Sequence, residues 1–174
     1  FELYSAILAA KGLSPLPGFT PIITHQNKQS DELILTTYQL NVQTPFKTQN
    51  CRWLDEISDE DPAWINLKTA EERQIKDGDK IIIRSKLGEM ETTAKVTQLV
   101  MPGVIAIDSH GHHWEFGRYA SGKNAPFSVE ESRYQVAKWW QHQGTHANWI
   151  IDNVSEPISG QQCWKDTVVS VSKA

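Results

Sequence analysis

The sequence predicts a mainly β protein, a compact β-barrel with short helices. Several short segments rich in β-branched residues alternate with turn-forming sequences such as KDGD, KLGE and MPG. One short helix stands among these segments, and no βαβ unit of the dinucleotide-binding type can be recognised. The glycine-rich GxGxxG and Walker sequences that bind phosphates in such units are also absent from the sequence.

The first part of the chain contains one strong strand. Residues Glu2–Ala10 are weakly helical, and the segment KGLSPLPGFTP, with three prolines and two glycines, ends any helix there. The β-rich segment ELILTTYQLNV predicts the first strand. A polar loop, QTPFKTQNCRW, and a short helical turn, RWLDEI, are predicted after it.

The middle of the chain predicts most of the sheet. A strand is expected at Ala63–Asn66 and a short helix at Lys68–Arg73. The KDGD sequence predicts a tight turn, because Asp and Gly accept the backbone angles of a reversal. The segments KIIIRS, METTAKVTQL and VIAIDS predict three further strands, joined by KLGE and MPG.

The last part of the chain begins with the histidine-rich sequence SHGHHWEFG. A helix is expected from about Val129 to Gly144, because Ser128 and Glu131 have the spacing of a capping box. NWIIDNVSEPISG is expected to form a loop and KDTVVSVSK the final strand. No internal sequence repeat is evident.

Composition excludes several classes of protein. The 174 residues include 39% hydrophobic and 22% charged residues, with a net charge of -4 and scattered cations, which argues against a nucleic-acid-binding protein. No apolar run is long enough to span a bilayer. Cys51 and Cys163 lack CxxC partners and are expected to be free thiols, although a disulfide is possible. The start at Phe1, without Met or a signal peptide, suggests a piece of a longer protein.

The central segment WINLKTAEERQIKDGDKIIIRSKLGEMETTAKVTQLVMPGVIAI resembles the C-terminal dinucleotide-binding domain of the molybdopterin oxidoreductases, the dimethyl sulfoxide reductase superfamily. The residues that fit its pattern are Thr69, Ala70, Ile75, Asp77, Gly78, Asp79, Gly88, Lys95, Val96, Thr97, Pro102, Gly103 and Val104. FELYSAIL, ILTTYQLNVQTPFKTQN and NWIIDNVSEPISGQQCWKDTVVSV resemble the flanking segments, so the likeness covers nearly the whole chain. Gln74 departs from the pattern, since relatives have Gly at this helix end.

The resemblance implies a six-stranded double-psi β-barrel that caps a bis-molybdopterin guanine dinucleotide cofactor. It implies a lead-in segment at residues 1–30, a barrel at 31–174 and an inserted helix within about 123–147. Molybdenum or tungsten would be held elsewhere in the enzyme, so the resemblance implies no catalytic or metal-ligating residue in this chain. The isolated chain would be inactive and would not hold the cofactor tightly.

Cofactor contacts are expected from hydroxyl, amide, aromatic and backbone groups, which suit pyrophosphate, pterin and guanine. The resemblance and these chemistries together predict contacts from Thr36, Thr37, Gln39, Thr48, Asn50, His110, Gly111, His112, Trp114, Asn148, Trp164 and Lys165. For Asn148 a loop-capping role is the alternative, and for Trp164 it is packing in the core.

The histidines of SHGHHWEFG leave three interpretations open. A metal site is one, because His110 and His112 alternate as on a strand, but a third ligand is not evident. A plain surface loop is another. A loop that approaches the pterin is the third and is favoured, because Gly111 and Gly117 permit close backbone contact.

The parent enzyme is expected to act with the remainder of the catalytic subunit and with an iron–sulfur electron-transfer subunit. The local sequences GRYASG and EPISGQQCWKDTVVSV most resemble those of reductases of sulfur or arsenic oxyanions. Such an enzyme would act in anaerobic respiration and would be exported to the periplasm or cell envelope. The alternative is a stand-alone double-psi barrel that binds a metal or another protein. A self-cleaving decarboxylase-like barrel is disfavoured, since the chain has no Gly-Ser pair.

Overall fold

The computed structural model describes residues 3–44, 47–48, 51–55, 57–58, 60–109 and 145–174. The predicted helix at Val129–Gly144 lies outside the described residues. So do five of the predicted contacts, namely Asn50, His110, Gly111, His112 and Trp114.

Six strands form a closed barrel, as the resemblance implied. The strands are β1 (Leu33–Tyr38), β2 (Ala63–Asn66), β3 (Lys80–Arg84), β4 (Glu89–Thr97), β5 (Val104–Asp108) and β6 (Thr167–Lys173). In the part of the chain that the structure describes, three short α-helices accompany them, α1 (Ala6–Ala10), α2 (Arg52–Asp55) and α3 (Leu67–Glu72). Within the described residues, no helix is long and apolar enough to cross a membrane.

The strands follow the order β1-β5-β2-β4-β3-β6 around the barrel. β1 pairs with β5 and β2 with β4 in parallel, and the other four pairs are antiparallel. Exchanging β1 with β4, β2 with β5 and β3 with β6 leaves this pairing scheme unchanged. The barrel therefore has the pseudo-twofold connectivity of a double-psi barrel, although the two halves show no sequence repeat.

The core fills the barrel with aliphatic side chains from alternate positions on the strands, as the two-residue period of a strand requires. Leu35, Ile65, Ile81, Ile83 and Ile105 are fully buried. β5 is buried on both faces, because it lies between β1 and β2 and its outer residues are covered as well. This burial explains why VIAID reads as a continuous apolar segment.

Helix α3 begins at Leu67, one residue earlier than expected, because Asn66 caps it. The Asn66 side chain accepts a hydrogen bond from the Lys68 N–H at 2.9 Å and donates one to the Val100 carbonyl at 2.7 Å. Thr69 is buried, and its hydroxyl accepts the Gly103 N–H at 3.0 Å. The cap and the hydroxyl tie the helix to the turn between β4 and β5.

The chain leaves α3 through Gln74, which adopts a left-handed conformation with φ of 57°. Gln74 therefore adopts the conformation that Gly, the residue of the family pattern at this position, would adopt without strain. The following KDGD turn is closed by the Asp79 carboxylate, which accepts the Lys76 N–H at 2.8 Å. Gly78 has φ of 83°, as the predicted tight turn requires.

The prediction that NWIIDNVSEPISG is simply a loop was wrong in part. Residues Ala147–Trp149 form a 3-10 helix, and the side chains of Ile150 and Ile151 lie in the core. A short backbone bridge joins Ser155 to Gln162 farther on. The two isoleucines are adjacent, so they match neither a strand nor a helix period.

Gln74→Gly is expected to raise the stability of the 174-residue chain. Removing the strain of the left-handed conformation stabilises the folded chain by about 1 kcal/mol. The larger conformational entropy of Gly in the unfolded chain offsets part of this gain. Urea unfolding should therefore show a gain of roughly 0.5 kcal/mol. Gln98→Gly is the matched control, because Gln98 is exposed without a positive φ and should lose stability.

Thr69→Val is expected to lower the free energy of unfolding by about 1–3 kcal/mol, since the Gly103 N–H loses its buried acceptor while the volume is kept. Thr93→Val on β4 serves as control, because its hydroxyl makes no hydrogen bond within the described chain. Equal midpoints in thermal unfolding for the two variants would show that the Thr69 hydrogen bond contributes nothing.

Candidate functional site

The strand directions give the barrel two distinct ends. β1, β3 and β5 finish at one end, where β2, β4 and β6 begin, as the parallel and antiparallel pairings require. We call this end the β1/β5 end. Helix α3 and the KDGD turn lie at the opposite end, the α3 end.

Six of the seven predicted contact residues that the structure describes lie at the β1/β5 end. Thr36 and Thr37 are near the end of β1, and the exposed Gln39 follows that strand. Trp164 and Lys165 come just before β6, and both are exposed. Trp164 is 55% exposed, so the alternative that it packs in the core is wrong. Asn148 is also exposed and follows Ala147 in the 3-10 helix.

Most of these side chains have polar groups without a hydrogen-bond partner in the described chain. No hydrogen bond or ion pair joins the side chains of Thr36, Thr37, Gln39, Asn148 or Lys165 to another residue within the described chain. Thr48 differs, because its hydroxyl donates to the Gln43 side-chain oxygen at 2.6 Å and accepts the Thr44 N–H at 2.7 Å. Thr48 therefore organises its own loop.

Residues Thr145–Asp152 close the β1/β5 end of the barrel, and we call them the plug. Ala147, Ile150 and Ile151 point into the core and are 5%, 0% and 6% exposed. Asn148 and Trp149 point away from it, and Trp149 is 49% exposed. The plug thus presents an amide and an indole to the outside.

Three other parts of the barrel hold the plug. The Thr145 N–H donates to the Asp61 carboxylate at 3.2 Å, just before β2. The Asp152 N–H donates to the buried Thr167 hydroxyl at 3.0 Å, at the start of β6. Lys86, in the turn between β3 and β4, forms an ion pair with the Asp152 carboxylate. The sequence does not predict these contacts, because the partners are distant from one another along the chain.

An aromatic pair supports the outer wall beside β1. The rings of Tyr38 and Trp64 stack with centroids 4.4 Å apart. The Tyr38 hydroxyl donates to the Pro62 carbonyl at 2.7 Å. Burial, and then the negative charges of Asp108 and Asp61, raise the pKa of Tyr38, so the phenol stays protonated and keeps this donor. A cleft of about 510 Å³ lies against Trp64, between Leu40 and Leu99.

A second cleft, of about 530 Å³, surrounds Trp164 and Lys165 just before β6. Its rim contains Glu156, whose carboxylate accepts the Ser159 N–H at 2.6 Å, the Ser159 hydroxyl at 2.8 Å and the Ile158 N–H at 3.0 Å. These hydrogen bonds, those of Ser159 first, lower the pKa of Glu156. Glu156 therefore acts as an ionised organiser of the turn.

The donor set suits a ligand that combines phosphate with heteroaromatic rings. The Lys165 ammonium can pair with a phosphate oxygen, the Asn148 amide can hydrogen-bond a ring edge, and the Trp164 indole offers a stacking face. The candidate metal ligands His110 and His112 lie outside the described residues. Among the described residues, no group of three or more His, Cys, Asp or Glu side chains could hold an ion. Cys51 and Cys163 are free thiols, as expected.

Residues 33–168 match the family described as "Molydopterin dinucleotide binding domain". The thiosulfate reductase molybdopterin-containing subunit PhsA of Salmonella typhimurium is 27% identical over 91% of this chain and 18% of its own length. The arsenate respiratory reductase molybdopterin-containing subunit ArrA of Shewanella sp. is 33% identical over 52% of this chain and 12% of its own. This chain thus spans less than a fifth of the length of either relative.

The acetylene hydratase of Pelobacter acetylenicus has a similar fold, with a TM-score of 0.67 and 17% identity. The similarity covers 99% of this chain and 23% of that structure. Together, the family match over most of the chain, the closed six-stranded barrel and the donor set at its β1/β5 end lead to one conclusion. The chain belongs to the molybdopterin dinucleotide-binding domains of the dimethyl sulfoxide reductase superfamily, whose cofactor is molybdopterin guanine dinucleotide.

Proposed function

We propose that the chain is the cofactor-capping, C-terminal domain of a molybdenum or tungsten oxidoreductase, and that its β1/β5 end holds molybdopterin guanine dinucleotide. One observation carries the proposal. Hydroxyl, amide and ammonium groups without partners in the described chain come from separate segments and lie at this one end of the barrel. A shared ligand accounts for such a convergence, because exposed polar groups otherwise need no common location.

Each side chain has a role that follows from its chemistry. Lys165 neutralises a phosphate of the dinucleotide, and the adjacent Trp164 covers a ring of the ligand and excludes water from it. Asn148 reads a ring edge, because an amide both donates and accepts. Thr37 has the same strand parity as the buried Leu33 and Leu35, which places its hydroxyl at the mouth of the barrel. The bound cofactor supplies the redox chemistry at its metal.

The substrate class that we favour is a sulfur or arsenic oxyanion, used in anaerobic respiration. Support comes from the relatives named as thiosulfate reductase and arsenate respiratory reductase. In this proposal the remainder of the catalytic subunit completes the cofactor site, an iron–sulfur subunit delivers electrons, and the enzyme works in the periplasm or cell envelope. The isolated chain is inactive, because it holds only one side of the site.

The test uses the full-length gene product, purified without oxygen, with guanine nucleotide and molybdenum or tungsten measured per polypeptide. Lys165→Ala and Asn148→Ala are expected to speed cofactor loss about tenfold or more, since each removes about 1.5 kcal/mol of hydrogen bonding to a charged or polar group. Lys68→Ala is the matched control, an exposed lysine at the α3 end, and should retain cofactor normally.

Two results would contradict the proposal. One is a wild-type protein without guanine nucleotide and without molybdenum or tungsten. The other is stoichiometric zinc or nickel that disappears in His112→Ala, which would favour the alternative of a metal-binding barrel.

A further inference from the structure

We infer that Lys86, Asp152 and Thr167 are positioning residues, which fix the plug so that Asn148 faces the ligand. This inference rests on the proposed function. It names residues that support the plug, whose exposed side contacts the ligand. None of the three needs to touch the cofactor. Their effect passes through the backbone of the plug, whose exposed residues face the ligand and whose buried residues face the core.

Both ends of the plug are held by side chains from the barrel. At its beginning, the Thr145 N–H donates to Asp61, whose own carbonyl accepts the Thr92 hydroxyl at 2.8 Å. At its end, Asp152 is held by the Thr167 hydroxyl and by the Lys86 ammonium. Asn148 lies between these two fixed points, three residues after Thr145 and four before Asp152.

Burial fixes the rotation of the segment between these ends. Ala147 and Ile150 lie on one side and are 5% and 0% exposed. Within the 3-10 turn, the Ile150 N–H and the Ile151 N–H both donate to the Ala147 carbonyl at 3.1 Å. Rotating Asn148 inward would bring these apolar side chains out of the core. The backbone of the plug therefore keeps the Asn148 side chain on the outer face while the ends are held.

The turn between β3 and β4 approaches the plug closely enough to set its depth. A Cβ atom added to Gly88 would lie 3.2 Å from the Trp149 carbonyl oxygen. Gly88 has no positive φ, so its backbone angles would accept other residues. A side chain at this position would instead crowd the backbone of the plug. Lys86, two residues earlier in the same turn, then reaches Asp152. The turn thus restrains the plug both by contact and by charge.

The ion pair is better suited to positioning than to stabilising the fold. The Lys86 side chain is 68% exposed, and exposed ion pairs contribute only about 0–1 kcal/mol. The Asp152 side chain is 14% exposed, so its orientation depends more strongly on its partner. Loss of Lys86 should therefore loosen the end of the plug while the barrel keeps its stability.

The experiment compares Lys86→Met with Lys86→Arg in the full-length gene product. Lys86→Met is expected to raise the cofactor dissociation rate by up to about tenfold, because it acts through the Asn148 contact, whose complete loss corresponds to about that factor. Amide hydrogen exchange in residues 145–152 should become faster, with little change in the thermal midpoint. Lys86→Arg keeps the charge and should restore both values. Thr167→Val, which removes the other anchor, should accelerate exchange in the same segment.

Lys80→Met is the matched control. Lys80 is 65% exposed, and its ammonium forms an ion pair with Glu91 at 3.2 Å. This ion pair joins β3 to β4, away from the plug. The variant should leave cofactor retention and exchange of the plug unchanged. Wild-type retention in Lys86→Met, or a loss that follows only a lower thermal midpoint, would overturn this inference alone. A wild-type protein without cofactor would overturn the proposed function and this inference with it.

Discussion

The parallel pairing of β1 with β5 and of β2 with β4 is the constraint on which the rest of the structure depends. Parallel strands cannot be joined by a tight turn, and neither parallel pair is made of strands that are consecutive along the chain. The connection from β1 to β2 passes β5, the connection from β4 to β5 passes β2, and the six short strands close into a barrel with a pseudo-twofold connectivity. Because no strand edge remains unpaired, a small aliphatic core suffices to hold them.

The same pairing creates the site. With β1 and β5 ending together, the segments that follow them emerge at one end, and the segment before β6 returns there. The connections at the α3 end are short and are tied by hydrogen bonds of Asn66 and Thr69. The long segments that follow β1 and β5 are therefore available for binding. The buried side chains of the plug anchor Asn148 to the core.

The strands and turns could be predicted closely from the sequence, because β-branched runs and the KDGD signal are local. Even Gln74 could be identified as strained, since its place in the pattern demands a left-handed residue. The barrel closure came from resemblance, because strand pairing is a long-range property. The plug was missed, since Ile150 and Ile151 follow no period and their anchors are distant in the chain. The common end of the described contacts could not be predicted from local patterns, because it depends on the pairing of β1 with β5 and β6.

The most direct test of the account is an experimental structure of the full-length gene product with its cofactor. We expect the guanine dinucleotide at the β1/β5 end, with atoms of the ligand within about 4 Å of Asn148 and Lys165. The Lys86–Asp152 ion pair should be intact behind the plug. A cofactor at the α3 end, or one that touches no residue of the barrel, would contradict the account.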